Sequence, residues 1–142
     1  MLYIEIVVER KGKKMTDLGH QIEVYPFAYQ KIINGHRKID FRPYKKNLHG
    51  ICIGDKVEYV NIESKNVNVK EVKGIALFDD FETLIEMLDH KLIGYDSKEE
   101  IKVRVERMYS KEDIEEYGVV AFFIDEPKAK KMMRLNVFDR CA

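Results

Sequence analysis

Residues 2–9, "LYIEIVVE", alternate weakly between apolar and polar and are rich in β-branched side chains, which predicts a strand. The following "KGKKMTDLG" is polar and turn-like, and Met15 within it offers an alternative start that would leave residues 1–14 as an appendage. "HQIEVY" reads as a short strand. Pro26 suits the first position of a helix, where its missing N–H costs nothing, and Gly35 suits the position just past the end of that helix near Asn34. A strand over 37–42 follows, with Pro43 expected to end it.

The next segments alternate more clearly. A Gly54-Asp55 turn leads into a strand near 56–62. Val67, Val69, Val72 and Ile75 are spaced as in a long strand over 66–78 with one irregularity. Phe81, Leu84, Ile85 and Leu88 then switch to the helical period. Ser97 and Glu100 form a capping box ahead of a helix whose apolar stripe is Ile101, Val105 and Met108. Ser110 to Asp113 repeats that start more weakly and opens a short helix to about Tyr117. "GVVAFFI" has no polar face and predicts a buried strand. The tail "KAKKMMRLNVF" suits either a strand or a helical end.

Length and composition bound the answer. With 142 residues, 45% of them hydrophobic, the chain suits one domain with a real core. Net charge is zero, so any attraction to a polyanion must be local. Charge is in fact uneven. Residues 31–46 hold six cations against Asp40 alone, whereas residues 79–117 hold thirteen acids against six bases. No apolar run approaches the ~18 residues of a membrane span, and the apolar start precedes its cations, the reverse of a signal peptide. Cys52 and Cys141 lack metal or disulfide spacing and fit free thiols in a reducing cytoplasm. His20, His36, His49 and His90 do not pair at helical spacing, so neither a metal nor another cofactor is expected.

The candidate chemistry lies in "INGHRKIDFR". On a strand, Lys38, Asp40 and Arg42 would share one face, and Arg37, Ile39 and Phe41 the other. Arg42 offers a planar fork for phosphate or the Hoogsteen edge of guanine, and Asp40 can accept from an exocyclic amine. The commonest fate of such residues is a solvated strand face with cross-strand ion pairs. Tyr25, Phe27, Tyr29 and Tyr44 flank the basic segment, and aromatics among cations suit base stacking. Phe27, on a short helix, is expected in the core; Tyr44, after Pro43 in a polar loop, is the expected exposed platform.

"HQIEVYPFAYQKIINGHRKIDFR" followed by "IGDKVEYVN" resembles the ASCH domain of the PUA-like superfamily. The family's Gly-x-Lys-x-x-Glu-x-Arg motif falls on Gly35, Arg37, Asp40 and Arg42, and its Gly-Asp turn on Gly54-Asp55. The similarity continues through "LFDDFETLIEMLDHKLIGYDSKEE" to "MYSKEDIEEYGVVAFFI" and covers about residues 18–125. It implies an α+β fold: a PUA-like mixed β-barrel with helices packed around the rim. The chain would be one domain, with 1–14 an N-terminal extension strand and 127–142 a C-terminal extension.

The resemblance also implies a cleft beside strand 37–42 that binds RNA, a nucleotide or a modified nucleoside. Arg37, Lys38, Asp40, Arg42 and Tyr44 would contact the ligand, His20 would line the cleft, and Tyr109 would close it, with Ser110 an N-cap. Some small bacterial members hydrolyse N4-acetylcytidine with a lysine and a threonine on this strand and a glutamate elsewhere. Here Arg37 and Asp40 hold those strand positions. Arginine cannot be a general base near neutral pH, and cations beside Asp40 would weaken it as a base. Recognition therefore leads. The alternatives are a hydrolase of acylated nucleosides or a ribonuclease using Asp40 and Arg37, and a protein-interaction domain using strand 2–9 as an edge.

Overall fold

The computed structural model describes residues 19–127. The expected strand 2–9, the turn after it and the tail beyond Pro127 lie outside the described residues. Five strands and five helices follow in the order β1 (His20–Val24), α1 (Pro26–Ile33), β2 (Ile39–Pro43), β3 (Lys56–Asn61), β4 (Val67–Phe78), α2 (Phe81–Met87), α3 (His90–Ile93), α4 (Lys98–Met108), α5 (Lys111–Tyr117) and β5 (Val119–Asp125). A 3-10 turn spans Lys46–Leu48.

The strands form one mixed sheet in the order β1-β3-β4-β5-β2, parallel between β1 and β3 and antiparallel elsewhere. This is an α+β half-barrel. Strand β4 carries the curvature. Its first part pairs with β3 and its second with β5, and a bulge lies between Val72 and Gly74. That bulge is the irregularity read from the spacing of Val69, Val72 and Ile75. At Gly74 an added Cβ would stand 3.4 Å from the Phe123 ring, in ordinary van der Waals contact with the neighbouring strand.

Two apolar cores occupy the two faces of the sheet. Ile22, Val57, Tyr59, Val72, Val120, Phe122 and Ile124 meet Tyr29 and Ile32 of α1 on one face. Ile39, Ala76, Phe78, Val119 and Ala121 meet α2 and α4 on the other, through Phe81, Leu84, Ile85, Ile101 and Val105. Strand β5 feeds both cores with alternate side chains, which is why its sequence shows no polar face.

Local signals explain the helix ends. Asp80, Ser97 and Ser110 each accept from the backbone N–H three residues on. Glu100 reaches back to the N–H of Asp96, one residue before the position a capping box requires. Helix α3 is only four residues long, too short for a readable period. Strand β2 begins at Ile39 rather than Arg37, because the N–H groups of Arg37 and Lys38 go to the carbonyls of Lys31 and Leu92.

Candidate functional site

A half-barrel leaves a seam between its two edge strands, β1 and β2. A cavity of about 450 Å³ fills that seam. Glu23 and Val24 of β1 line it on one side, and Ile39 to Arg42 of β2 on the other. Tyr25, Phe27 and Ala28 close one end from the start of α1; Arg104, Val105, Met108 and Tyr109 close the other from α4. Arg37, Ile93 and Tyr95 complete the lining.

The deepest polar group is Asp40, 2% exposed. Opposite Phe122 on β5, its side chain enters the core face that also holds Tyr59. Arg42 grips the carboxylate with two hydrogen bonds, from Nε to Oδ2 at 3.1 Å and from Nη2 to Oδ1 at 3.0 Å. The Tyr59 hydroxyl donates a third to Oδ2 at 3.0 Å. Burial alone would lower the Arg42 pKa, but the charge and hydrogen bonds of Asp40 outweigh it and hold the guanidinium above its ordinary value. Burial, then the charge of Asp40, push the Tyr59 phenol well above its ordinary pKa, so it stays a neutral donor. Arg42 lines the cavity and keeps 20% side-chain exposure, and its Nη1 has no hydrogen-bond partner among the described residues. It is a fixed, charged fork with one prong unused.

Arg37 lies at the mouth. Its Nε donates to the Ile93 carbonyl at 2.9 Å and its Nη2 to the Tyr95 hydroxyl at 3.2 Å, with the guanidinium carbon 5.4 Å from the Tyr95 ring centre. Burial raises the Tyr109 phenol above its ordinary pKa against the opposing pull of Arg42. The cavity thus joins three guanidinium groups, two carboxylates and several aromatic faces.

Of the residues picked out in the sequence, Arg37, Asp40, Arg42 and Tyr109 meet in this cavity; Lys38, His20 and Tyr44 do not. Lys38 precedes the strand and pairs at the surface with Asp125, 3.7 Å away. His20 sits at the start of β1, 3.1 Å from Asp55, whose carboxylate also accepts from the N–H of Cys52. That pairing locks the Gly54-Asp55 turn against β1 and draws His20 away from the seam. Tyr44 is no exposed platform. Its ring packs on the core and lies 4.2 Å from His49, because the chain after Pro43 turns inward to place Leu48 and Ile51.

The aromatic expectation inverts. Phe27 is 47% exposed at the rim, with Arg104 4.8 Å and Lys31 4.7 Å from its ring centre. Arg104 left a sequence signal that is plain once its place is known. It stands at the i+3 position of the stripe Ile101, Val105, Met108, where a buried helix face would carry an apolar residue. Tyr25 was marked only as one of the aromatics flanking the basic segment, and Glu23 and Tyr95 carried no mark at all.

The sheet order and the rim helices give the chain an ASCH-like fold, a mixed half-barrel sheet with helices packed around it. The chain is similar to the hypothetical protein PH0355, with 28% identity over 78% of this chain and 100% of that one and a TM-score of 0.65. It is also similar to protein PF0455 from Pyrococcus furiosus, with 27% identity, 78% and 97% coverage and a TM-score of 0.57. A tyrosine-to-phenylalanine mutant of the ASCH protein from Zymomonas mobilis shares the fold at 15% identity, covering 75% of this chain and 69% of that one with a TM-score of 0.54. No family model and no curated protein matches the sequence. Among the described residues no helix is long and apolar enough to cross a membrane, and no group of three His, Cys, Asp or Glu side chains is placed to hold a metal ion.

Proposed function

We propose that the protein recognises a nucleobase-bearing ligand, either RNA or a nucleotide or modified nucleoside, in the seam cavity. The observation that carries this reading is the Asp40–Arg42–Tyr59 arrangement, which holds a guanidinium with its Nη1 unused at the wall of a 450 Å³ cavity. That volume is within the range of small-molecule sites, ~300–1,000 Å³. A nucleobase presents a flat apolar face and a hydrogen-bonding edge. Phe27, Tyr25 and Met108 offer the surfaces for the face, and Arg42, Arg37 and Glu23 the groups for the edge. The resemblance to ASCH domains supports the same class of ligand.

Recognition is favoured over hydrolysis by what Asp40 is doing. Its two oxygens accept three hydrogen bonds, so its lone pairs serve to position Arg42 rather than to take a proton from a substrate. The test is a titration of the full chain with the four ribonucleosides, N4-acetylcytidine and short single-stranded RNAs, followed by NMR and by product analysis. The expected result is saturable binding that shifts the amides around Arg37, Arg42 and Tyr109 and is lost in Arg42→Lys, which keeps the charge but not the fork. Saturation mapped elsewhere on the molecule overturns the reading. Turnover that Asp40→Asn abolishes replaces it with the hydrolytic one.

A further inference from the structure

A second depression, of about 450 Å³, lies beside the first and shares Tyr95 with it. Lys31, His36, Lys38 and Lys91 line it, with Asp96 its one carboxylate. Two turns build it. Gly35, at φ +79°, ends α1, and Gly94, at φ +98°, ends α3. A Cβ on Gly94 would stand 3.2 Å from the His36 carbonyl oxygen, so the two turns are pressed together. Hydrogen bonds then pin them: Lys38 N–H to Leu92 O at 2.7 Å, Arg37 Nε to Ile93 O at 2.9 Å, and the Lys31 ammonium to Gly94 O. The cations are therefore presented by a braced surface, not by a loose loop.

Lys31 links the two hollows. Its ammonium lies 4.6 Å from the ring centre of Tyr95, the residue common to both, and 4.7 Å from that of Phe27 at the cavity rim. Burial, and next the neighbouring Arg37, hold its pKa below the ordinary lysine value. Lys38 has a partial counter-ion in Asp125, but both are about half exposed and that pair is readily exchanged.

We propose that this depression seats the phosphodiester of a ligand whose base occupies the seam cavity, so that the ligand is a chain-linked nucleotide leaving past Tyr95 rather than a free nucleoside. The proposal rests on the nucleobase reading and names its substrate class. A phosphate needs clustered donors with little competing negative charge, and three lysines against Asp96 in the lining and Asp125 beside Lys38 leave a cationic excess. It also needs continuity with the base site, which Tyr95 and Lys31 supply.

The experiment compares, on the full chain, the binding of each ribonucleoside, its 3′- and 5′-monophosphates and its single-stranded tetramer, between ~50 and ~200 mM salt. Tetramers are expected to bind at least tenfold more tightly than nucleosides, and only the phosphorylated probes should weaken with salt. Lys38→Ala/Lys91→Ala, at two exposed positions, should remove about tenfold from tetramer affinity and flatten its log–log salt slope by up to ~0.7, the share of one phosphate on a single strand, while nucleoside affinity stays the same. Monophosphates that match the tetramer overturn the chain-linked ligand in favour of a mononucleotide; monophosphates that bind more weakly than the tetramer support it. Nucleosides that bind as tightly as tetramers, with the double variant unchanged, overturn the phosphate seat and leave the seam cavity intact. Loss of all binding to the cavity overturns both.

Discussion

The cavity has a wall and a rim, and they are made differently. At the wall, Asp40 is 2% exposed and is held by hydrogen bonds from Arg42 and Tyr59. At the rim, Phe27 is 47% exposed and its neighbour Arg104 is held by a cation–ring contact. A desolvated ion pair is rigid because separating it leaves a charge in a low-dielectric interior. An exposed cation over a ring is worth about 0.5–1 kcal/mol and can part from it when a ligand arrives. The wall thus fixes where an edge is read, and the rim adapts to the face.

This contrast can be broken by substitution. The largest effect is expected at the wall: Asp40→Asn leaves Arg42 without its counter-ion and should cost about 3–5 kcal/mol in denaturant unfolding. A loss below ~1 kcal/mol would mean that Arg42 already relies on water. Next comes Phe27→Ala, which should leave stability within ~0.5 kcal/mol but cost ~1–3 kcal/mol of binding to a single-stranded RNA. Equal losses in both measurements would erase the distinction between wall and rim. Tyr59→Phe removes one donor to a carboxylate that keeps two others, and should cost about 1–1.5 kcal/mol of stability.

The smallest effect calibrates the others from outside both regions. The Thr83 N–H holds the Asp80 carboxyl below its ordinary pKa. A depressed folded-state value stabilises the fold above the unfolded pKa of ~3.9, and the gain fades as pH falls through the folded value. Asp80→Ala should therefore cost about 1 kcal/mol near neutral pH, and less as the pH drops below ~4, in thermal melts. A cost that grows on acidification would show that the cap is not what Asp80 contributes.

Much of the fold was legible because it is written in local periods. The β4 bulge, the caps at Ser97 and Ser110 and the two-faced burial of β5 each depend on neighbours a few residues apart. The candidate site was legible only in its β2 part. Alternation put Lys38, Asp40 and Arg42 on one face, but it could not show that Asp40 is sealed beneath Tyr59 while Lys38 emerges beside Asp125. The exchange of Phe27 for Tyr44 has the same origin. Both are aromatics near cations, and what separates them is which one the core needs.

By itself the sequence determined most of the described elements, the burial of β5 and the resemblance to the ASCH domain, because hydrogen-bonded backbone and burial repeat at short, fixed spacings. The cavity was decided only by tertiary structure. It exists because two edge strands fail to meet, and Glu23, Arg42, Tyr95 and Arg104 converge there from four separate elements and loops of the chain. No periodicity encodes a gap between edges; it follows from how far the sheet curls before its strands run out.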